Sequence, residues 1–337
     1  MGRKKVCILY TGGTIGMIRT EKGFAPAPGT FEKELAAIRD LSSPSMPEWD
    51  LVEFDPLLDS SNITYKQWNQ IAEAIETRYG NYDGFVVLHG TDTMAYSASA
   101  LSFMLEGLTK PVIFTGSQIP LSELRSDGKD NLITSVLIAS QAKVHEVCLY
   151  FGSDLMRGNR ATKFSSDHLI AFSSPSYTEL AKAGIDIQYR PKAFLDQGES
   201  TELNVHYLKD TRLAVIKVFP GIKFDLFTPV VDEMQGVILE TFGAGNIPNY
   251  DKALSSLIEK AAARGTIVVV CTQCPQGSVM LGAYEAGSEL VKAGAVSGFD
   301  MTTEAAVAKL SYLLSRDIPL DQARKLMETN LRGELSN

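Results

Sequence analysis

Two short turns rich in threonine and glycine hold the side chains of this sequence that are best suited to chemistry. Residues 11–14 read Thr-Gly-Gly-Thr, and residues 89–93 read His-Gly-Thr-Asp-Thr. Each turn follows a short apolar run, 6–10 or 85–88, which is typical of a buried strand. Open α/β sheets bind ligands beyond the carboxyl ends of their strands. A threonine hydroxyl at such a place can attack a carbonyl carbon once a base removes its proton.

Each of these threonines also has a purely structural interpretation. Thr14 ends a glycine turn, and such turns often serve the backbone alone. A phosphate-binding loop is a further alternative, but residues 12–16 fit neither the dinucleotide nor the Walker A pattern. Asp92 suits the cap of a helix predicted from about Thr93, and it also suits a cationic amine. Taken singly, both turns are better explained as structure than as catalysis.

Two more polar clusters stand in comparable places. Residues 59–62 (Asp-Ser-Ser-Asn) precede a predicted helix. They either cap this helix or bind a carboxylate through their hydroxyls and backbone N–H groups. Residues 115–118 (Thr-Gly-Ser-Gln) end a third predicted strand. Because several strand ends carry small hydroxyl residues, together they indicate a shared site more strongly than any one of them.

The candidate base for a threonine is Lys163 or His89. Lys163 suits this role if it is buried beside Thr91 and Asp92, where its neutral form is favoured. The alternative is an ordinary solvated lysine. His89 adjoins an apolar run and is either a base or a packed side chain. No Gly-x-Ser-x-Gly elbow supports a Ser-His-Asp triad.

Composition limits the class of protein. The chain has 337 residues and a net charge of −8, from 32 basic and 40 acidic side chains. An acidic chain without basic runs is a poor nucleic-acid or anionic-membrane binder. No apolar run is long enough for a signal peptide or a membrane span, so we expect a cytoplasmic protein. Cys271 and Cys274 form a lone C-x-x-C pair without a second pair or nearby histidines, which disfavours a metal site.

Alternation of strand-like and helical patterns predicts an α/β fold with mainly parallel sheets. The pattern weakens between about 190 and 211, where Pro and Gly accompany polar residues. We therefore expect a larger N-terminal domain over 1–190, a linker over 191–211 and a smaller C-terminal domain over 212–337. The predicted strands are 6–10, 84–89, 111–115, 147–151, 213–219, 236–242 and 266–272, and the predicted helices are 65–79, 93–107, 129–142, 250–264, 284–293, 303–315 and 319–329.

Together these segments resemble the bacterial-type L-asparaginase family, in particular its type I, cytoplasmic branch. The resemblance extends over nearly the whole chain, and its two threonine signatures are highly specific. The segments that carry it are 10–16 (YTGGTIG), 59–61 (DSS), 89–93 (HGTDT), 115–118 (TGSQ), 157–160 (RGNR) with Lys163, and 330–335 (NLRGEL).

The resemblance implies hydrolysis of L-asparagine to L-aspartate and ammonia without a metal or organic cofactor. It implies Thr14 as nucleophile and Lys163 as a base that acts through Thr91, with Asp92 in the same group. It also implies a homodimer or homotetramer whose active site lies between domains of neighbouring subunits. The substrate-binding residues it implies are Asp59, Ser60, Ser61, Thr91, Asp92 and Ser117.

Two positions depart from the family pattern. Many members carry a lid tyrosine that is hydrogen-bonded to the first threonine, and the aligned residue here is Phe24. Some type I members bind asparagine at an allosteric site through an arginine, and here that position is Glu240. This reversed charge disfavours the same contact with an effector carboxylate. The remaining residues of that candidate allosteric site are Thr272, Gln273 and Cys274.

Two other functions stay open beside asparagine hydrolysis. The amidase subunit of a tRNA-dependent amidotransferase shares this fold, although it usually carries an added N-terminal domain, whereas this chain starts directly at its first strand. A non-enzymatic amino-acid-binding protein on the same fold is the other. The joint presence of Thr14, Thr91, Asp92 and Lys163 favours an enzyme.

Overall fold

A computed structural model describes residues 2–21, 23–196, 202–248, 252–282 and 285–336. The chain divides into two compact units, residues 1–207 and residues 208–337. The predicted linker over 191–211 includes residues 197–201, which lie outside the described residues. Within its described part, residues 204–205 form a short strand of the first unit. The predicted domain limits stay a prediction.

Unit 1 is built on an eight-stranded mixed sheet with the order β13-β12-β9-β8-β7-β5-β1-β4. Its helices are α1 (Phe31–Ala37), α2 (Tyr65–Glu76), α3 (Met94–Met104) and α4 (Gly128–Gln141). Its strands are β1 (Lys5–Gly12), β2 (Met17–Thr20), β3 (Gly23–Pro26), β4 (Glu48–Leu58), β5 (Gly84–Leu88), β6 (Leu105–Glu106), β7 (Val112–Thr115), β8 (Val147–Phe151), β9 (Asp154–Arg157), β10 (Thr162–Lys163), β11 (Phe172–Ser173), β12 (Ala181–Ala183), β13 (Ile187–Tyr189) and β14 (Asn204–Val205).

Five neighbouring strands of this sheet, β4, β1, β5, β7 and β8, run parallel. Their carboxyl ends therefore lie along one edge of the sheet. Strands β5 and β7 are buried over their whole length, as expected for parallel strands covered on both faces. The buried apolar runs at 84–88 and 112–115 thus place the polar turns that follow them at the same edge.

Helix α2 shows how the sequence defines an element of this unit. Thr64 accepts a hydrogen bond from the helix, and Gln67 reaches back to the Thr64 backbone, which makes a capping box. Ile71, Ala72 and Ile75 recur at helical spacing and are buried, whereas the other face is polar. The cap fixes where the helix begins, and the apolar face fixes its packing.

Unit 2 is a smaller four-stranded parallel sheet with the order β15-β16-β17-β18. Its core includes Val237, Leu239, Val268 and Val270 from the two central strands. The strands are β15 (Leu213–Lys217), β16 (Gly236–Thr241), β17 (Ile267–Thr272) and β18 (Val296–Ser297), and the helices are α5 (Thr228–Asp232), α6 (Ala253–Ala263), α7 (Glu285–Lys292), α8 (Thr303–Ser315) and α9 (Leu320–Met327).

The predicted α/β class, with a larger mainly parallel domain and a smaller α/β domain, is confirmed by this architecture. Strand β4 escaped prediction because it is half-exposed and lacks a continuous apolar run. Residues 17–20 and 23–26 lie outside the predicted strands and helices, and they form the antiparallel hairpin of β2 and β3. In the part of the chain described, no helix has the length and apolar character needed to cross a membrane.

A fully buried ion pair joins α8 to the end of unit 2. Lys309 Nζ lies 2.5 Å from Glu334 Oε1, and both side chains are 0% exposed. The ammonium also donates to the carbonyls of Met327 and Thr329, at 2.9 and 2.6 Å. Glu334 in turn accepts from the backbone N–H of Leu331. These bonds compensate the cost of burying both charges and fix residues 327–334 against α8.

Removing one partner of this pair should be far more costly than removing both. Glu334→Leu leaves the Lys309 ammonium buried without its counter-charge, and we expect a loss of about 3–5 kcal/mol in unfolding free energy. The double variant Lys309→Met/Glu334→Leu should regain part of that loss. Urea unfolding of the full chain measures both values. A double variant no more stable than Glu334→Leu would show that the unpaired charge is not the main cost.

Candidate active site

Three polar turns meet at the carboxyl edge of the large sheet, and glycine is what lets them approach. Gly13 has a positive φ of 89°, and a β-carbon there would stand 2.5 Å from the backbone nitrogen of Gly90. A β-carbon on Gly90 would collide with the hydroxyl of Ser60. Larger side chains at either glycine would separate the turns. The turns that carry Thr14, Thr91 and Ser60 therefore form one site.

Thr14 begins a short 3₁₀ helix at the end of β1 and is half-buried. The β2–β3 hairpin follows it directly, as expected for a segment beside the site. Phe24, in β3, is 45% exposed, and the Arg19 guanidinium lies 4.9 Å from the centre of its ring. A phenyl ring has no hydroxyl with which to activate Thr14. Any activation of Thr14 must therefore come from another group.

Lys163 contacts both polar side chains of the second turn. Its Nζ lies 2.8 Å from Thr91 Oγ1 and 2.7 Å from Asp92 Oδ1. Thr91 is 7% exposed, and the Lys163 side chain is 19% exposed. Asp92 is 69% exposed at its side chain, which leaves its carboxylate accessible to a ligand amine. The predicted proximity of these three side chains is therefore present in the structure, while their chemical roles stay predictions.

A buried ion pair supports the segment that leads to Lys163. Arg157 Nε lies 2.5 Å from Glu146 Oε2, and each side chain is 4% exposed. Arg157 also donates to the Ala193 carbonyl at 2.8 Å, and its guanidinium lies 4.6 Å from the ring centre of Tyr177. Sequence reasoning noted residues 157–160 but missed Glu146, which stands just before β8 and pairs with Arg157 across the β8–β9 hairpin. A lone acidic residue before a strand gave no signal for this pairing.

The cluster at residues 59–62 combines a local cap with an open face. Asp59 accepts a hydrogen bond from the Ser61 backbone nitrogen at 3.0 Å and so caps a short 3₁₀ helix. Ser60 is 5% exposed, and its carbonyl accepts a 2.7 Å hydrogen bond from Thr93. Asp59 and Ser61 are exposed. The structural use predicted for this cluster is thus realised, and it leaves polar groups free for a ligand.

The turn after β7 adds Ser117 and Gln118. Ser117 is 1% exposed, and within the described residues its hydroxyl has no hydrogen-bond partner. A buried hydroxyl without a partner is uncommon in folded proteins, which keeps Ser117 a candidate for ligand binding. The next residue, Gln118, accepts a 3.1 Å hydrogen bond from Thr91 Oγ1. Sequence reasoning selected Ser117 and overlooked Gln118, although its position beside a hydroxyl cluster at a strand end was a usable signal.

His89 is packed into the core. It is 1% exposed; its Nδ1 lies 2.7 Å from the Gly90 carbonyl, and its Nε2 lies 2.9 Å from Ser97 Oγ. A carbonyl only accepts, so Nδ1 carries the proton and Nε2 accepts from Ser97. Trp68 Nε1 donates to the same serine hydroxyl at 2.9 Å. Both ring nitrogens are therefore occupied, which favours the packed interpretation over a catalytic base.

The two cysteines of the C-x-x-C pair lie in different environments. Cys271 is buried and Cys274 is exposed, and both are free thiols. Burial raises the pKa of Cys271 to about 12, so this thiol stays protonated at neutral pH. Metal binding and thiol exchange both need the thiolate. The buried position of Cys271 thus agrees with a structural thiol.

The predicted allosteric residues cluster in unit 2. Glu240 is the penultimate residue of β16, and its carboxylate accepts a 2.5 Å hydrogen bond from Thr303 and lies 3.8 Å from Lys217. Gln273 donates to the Glu240 carbonyl at 2.8 Å, and Thr272 accepts from the Cys274 backbone. Glu240 is thus already bound within the fold, and effector binding at these residues stays a prediction.

Burial of His89 makes the fold sensitive to acid. Burial lowers the pKa of His89 from 6.5 to about 4, so below pH 6.5 the unfolded chain binds a proton that the folded chain excludes. Stability from this group is complete above pH 6.5 and is lost as the pH falls to 4. The expected loss is about 3 kcal/mol.

Urea unfolding of wild type and His89→Asn between pH 7 and pH 4 isolates this contribution. The variant should be less stable at pH 7 but lose about 3 kcal/mol less on acidification, since its carboxylates titrate as in the wild type. Equal losses in the two proteins would contradict the assignment.

Two family models together match most of the chain. Residues 5–194 match the asparaginase N-terminal domain, and residues 212–327 match the glutaminase/asparaginase C-terminal domain. Both threonine turns and Lys163 lie in the first match, whereas Glu240 and Cys274 lie in the second.

Individual proteins agree with these family matches. The chain is 46% identical to L-asparaginase 1 of Escherichia coli (strain K12), with 100% of this chain and 99% of that protein covered. The crystal structure of L-asparaginase I from Vibrio cholerae O1 biovar eltor aligns over 100% of both chains, with a TM-score of 0.93 at 45% identity. One component of the glutamyl-tRNA(Gln) amidotransferase of Thermococcus kodakarensis is 33% identical, over 99% of this chain and 77% of that protein. With its fold, its two threonine turns and these full-length matches taken together, the chain belongs to the asparaginase family.

Proposed function

We propose that this protein hydrolyses L-asparagine to L-aspartate and ammonia. The observation that best supports the proposal is the contact of Lys163 Nζ with Thr91 Oγ1 and Asp92 Oδ1, at 2.8 and 2.7 Å. Amide hydrolysis needs a nucleophile, a proton carrier and a site for the oxyanion. Thr14, the Lys163–Thr91 pair and the backbone N–H groups of the two glycine turns offer these parts within one edge of the sheet.

Thr14 is the proposed nucleophile. Its Oγ forms a bond to the side-chain amide carbon of asparagine while its proton passes to the catalytic groups, and the C–N bond then breaks as the amine leaves protonated as ammonia. Water hydrolyses the resulting ester to aspartate and restores Thr14. Lys163 in its neutral form takes a proton through Thr91, which explains how the reaction proceeds with His89 packed away.

The substrate's charged groups match polar side chains around the two threonines, of which Asp59, Ser61 and Asp92 are exposed and Ser60 and Ser117 are buried. The carboxylates of Asp92 and Asp59 suit the α-ammonium group of asparagine, and the Ser60, Ser61 and Ser117 hydroxyls suit its carboxylate. Ser117 supports this assignment because its buried hydroxyl has no partner among the described residues. A small zwitterion is therefore the ligand class that these groups fit.

Replacing either threonine hydroxyl should abolish turnover. Thr14→Val and Thr91→Val preserve side-chain volume, so we expect a folded protein that releases ammonia from L-asparagine at least about 10³-fold more slowly. Ammonia release is measured by a coupled assay, and circular dichroism checks the fold. Thr77→Val, exposed at the C-terminal end of α2, is the matched control and should keep wild-type turnover. Full activity in either of the first two variants would contradict the mechanism.

The likeness to an amidotransferase component supports a second candidate function. The wild type should release ammonia from L-asparagine without tRNA, and far less from L-glutamine. Release that requires a charged tRNA and partner subunits would instead favour the amidotransferase role. Asparagine binding without turnover would favour the non-enzymatic alternative.

We also propose a cytoplasmic homodimer or homotetramer. Free cysteines are typical of a reducing compartment. Phe164 and Ile170, at 59% and 55% exposure, place two apolar side chains at the surface of the hairpin segment next to Lys163, where a second copy of the chain could cover them. Light scattering on the purified protein should give twice or four times the monomer mass, and a monomer at assay concentration would refute this proposal.

A further inference from the structure

One side chain outside the proposed catalytic set joins Thr91 to the segment that carries Lys163. Gln118 Oε1 accepts a hydrogen bond from Thr91 Oγ1 at 3.1 Å. Its Nε2 donates to the His168 carbonyl at 3.2 Å, in the turn between β10 and β11. Gln118 thus links the turn after β5, which carries Thr91, to the β10–β11 hairpin, which carries Lys163.

The partners of Gln118 fix which way its amide points. The His168 carbonyl can only accept a hydrogen bond, so the amide nitrogen faces it and the amide oxygen faces Thr91. An amide oxygen cannot donate. The single hydroxyl proton of Thr91 must therefore point at Gln118, while the lone pairs of Thr91 Oγ1 face the Lys163 ammonium 2.8 Å away.

The backbone of Gln118 is held as firmly as its side chain. Its N–H donates to the Asp127 carboxylate, at 3.1 and 3.0 Å to the two oxygens, and the Ile119 N–H donates to the same carboxylate at 3.0 Å. Asn131, on α4, donates to the Gly116 carbonyl at 3.0 Å on the other side of the turn. A turn fixed at both ends keeps the Gln118 amide in place when Thr91 moves.

From this geometry we propose that Gln118 is a positioning residue that directs the Thr91 proton away from Lys163 and so sets the pH at which the relay becomes active. The inference rests on the proposed hydrolysis. Proton transfer from Thr91 Oγ1 to Lys163 Nζ requires a neutral lysine and a hydroxyl turned out of its bond to Gln118. The bond from Thr91 to Gln118 exists only in the resting arrangement, in which Lys163 is protonated. It therefore stabilises the resting arrangement relative to the reactive one.

The charged groups around this set are few among the described residues. Asp92 bonds Lys163 on one side, and Asp127 bonds the Gln118 backbone on the other. Asp167 and His168, in the neighbouring turn, have side chains 84% and 74% exposed, where water screens their effect. A change in the pH profile after substitution of Gln118 is therefore attributable to the Thr91–Lys163 pair and Asp92.

Gln118→Leu tests the proposal because it removes the acceptor and keeps the shape. The pH profile of kcat/KM for L-asparagine should move its acid limb about half to one pH unit lower, since one neutral hydrogen bond no longer stabilises the protonated state. Its maximum should fall because Thr91 is held less firmly. A residue with only a structural role would lower the whole profile without moving it along the pH axis.

Gln118→Glu gives the opposite test. It keeps an acceptor oxygen toward Thr91 and adds a negative charge near Lys163, so its acid limb should move to higher pH. This second variant keeps the proposal falsifiable if Gln118→Leu fails to fold. Gln188→Leu, exposed on β13, is the matched control and should leave the profile unchanged.

The outcomes separate this inference from the proposed function. An active wild type with an unmoved acid limb in either folded variant overturns the role of Gln118 alone. A wild type that releases no ammonia from L-asparagine overturns both. Opposite shifts in the two variants support both.

Discussion

The site depends on the contact between Gly13 and Gly90. These two residues come from turns that follow adjacent parallel strands. A β-carbon on Gly13 would collide with the backbone of Gly90, and one on Gly90 would collide with the side chain of Ser60. Two hydroxyl-bearing turns can share one edge of a sheet only if the chain passes this point without side chains. The buried strands β1 and β5 hold the two turns in place, and this contact therefore determines the distance between Thr14 and Thr91.

Charge and proton placement follow from that contact. Once Thr91 is fixed beside Gly90, the segment after the Arg157–Glu146 pair brings Lys163 to it from a distant part of the chain. Thr91 Oγ1 and Lys163 Nζ bond to each other, and each also bonds to one further side chain. The ammonium engages Thr91 and Asp92, while the threonine proton engages Gln118. The chemistry at this site is thus governed by the direction of its hydrogen bonds as much as by the residues present.

The sequence predicts well those elements that are determined by a local pattern of apolar and polar residues. The central strands and the main helices of both units follow from apolar runs and helical spacing, and residues 65–79 predicted α2 because Ile71, Ala72 and Ile75 recur at helical spacing. Strand β4 was missed because its stability comes from pairing with β1 rather than from its own composition. The meeting of the polar turns was inferable from their places at strand ends. The reach of Gln118 to Thr91 was not, because it depends on how two separate turns fold onto one another. The pairing of Glu146 with Arg157 was missed because β9, the strand that brings Arg157 beside Glu146, was not among the predicted strands.

The buried pair of Lys309 and Glu334 also constrains the order in which unit 2 can be completed during synthesis. Chains fold from the amino terminus as they leave the ribosome. Helix α8, with Lys309, emerges 25 residues before Glu334 supplies the charge that allows its ammonium to be buried. Until then Lys309 lacks its counter-charge, and burying its ammonium in unit 2 costs free energy. Unit 1, with its own core complete by residue 207, has no such wait.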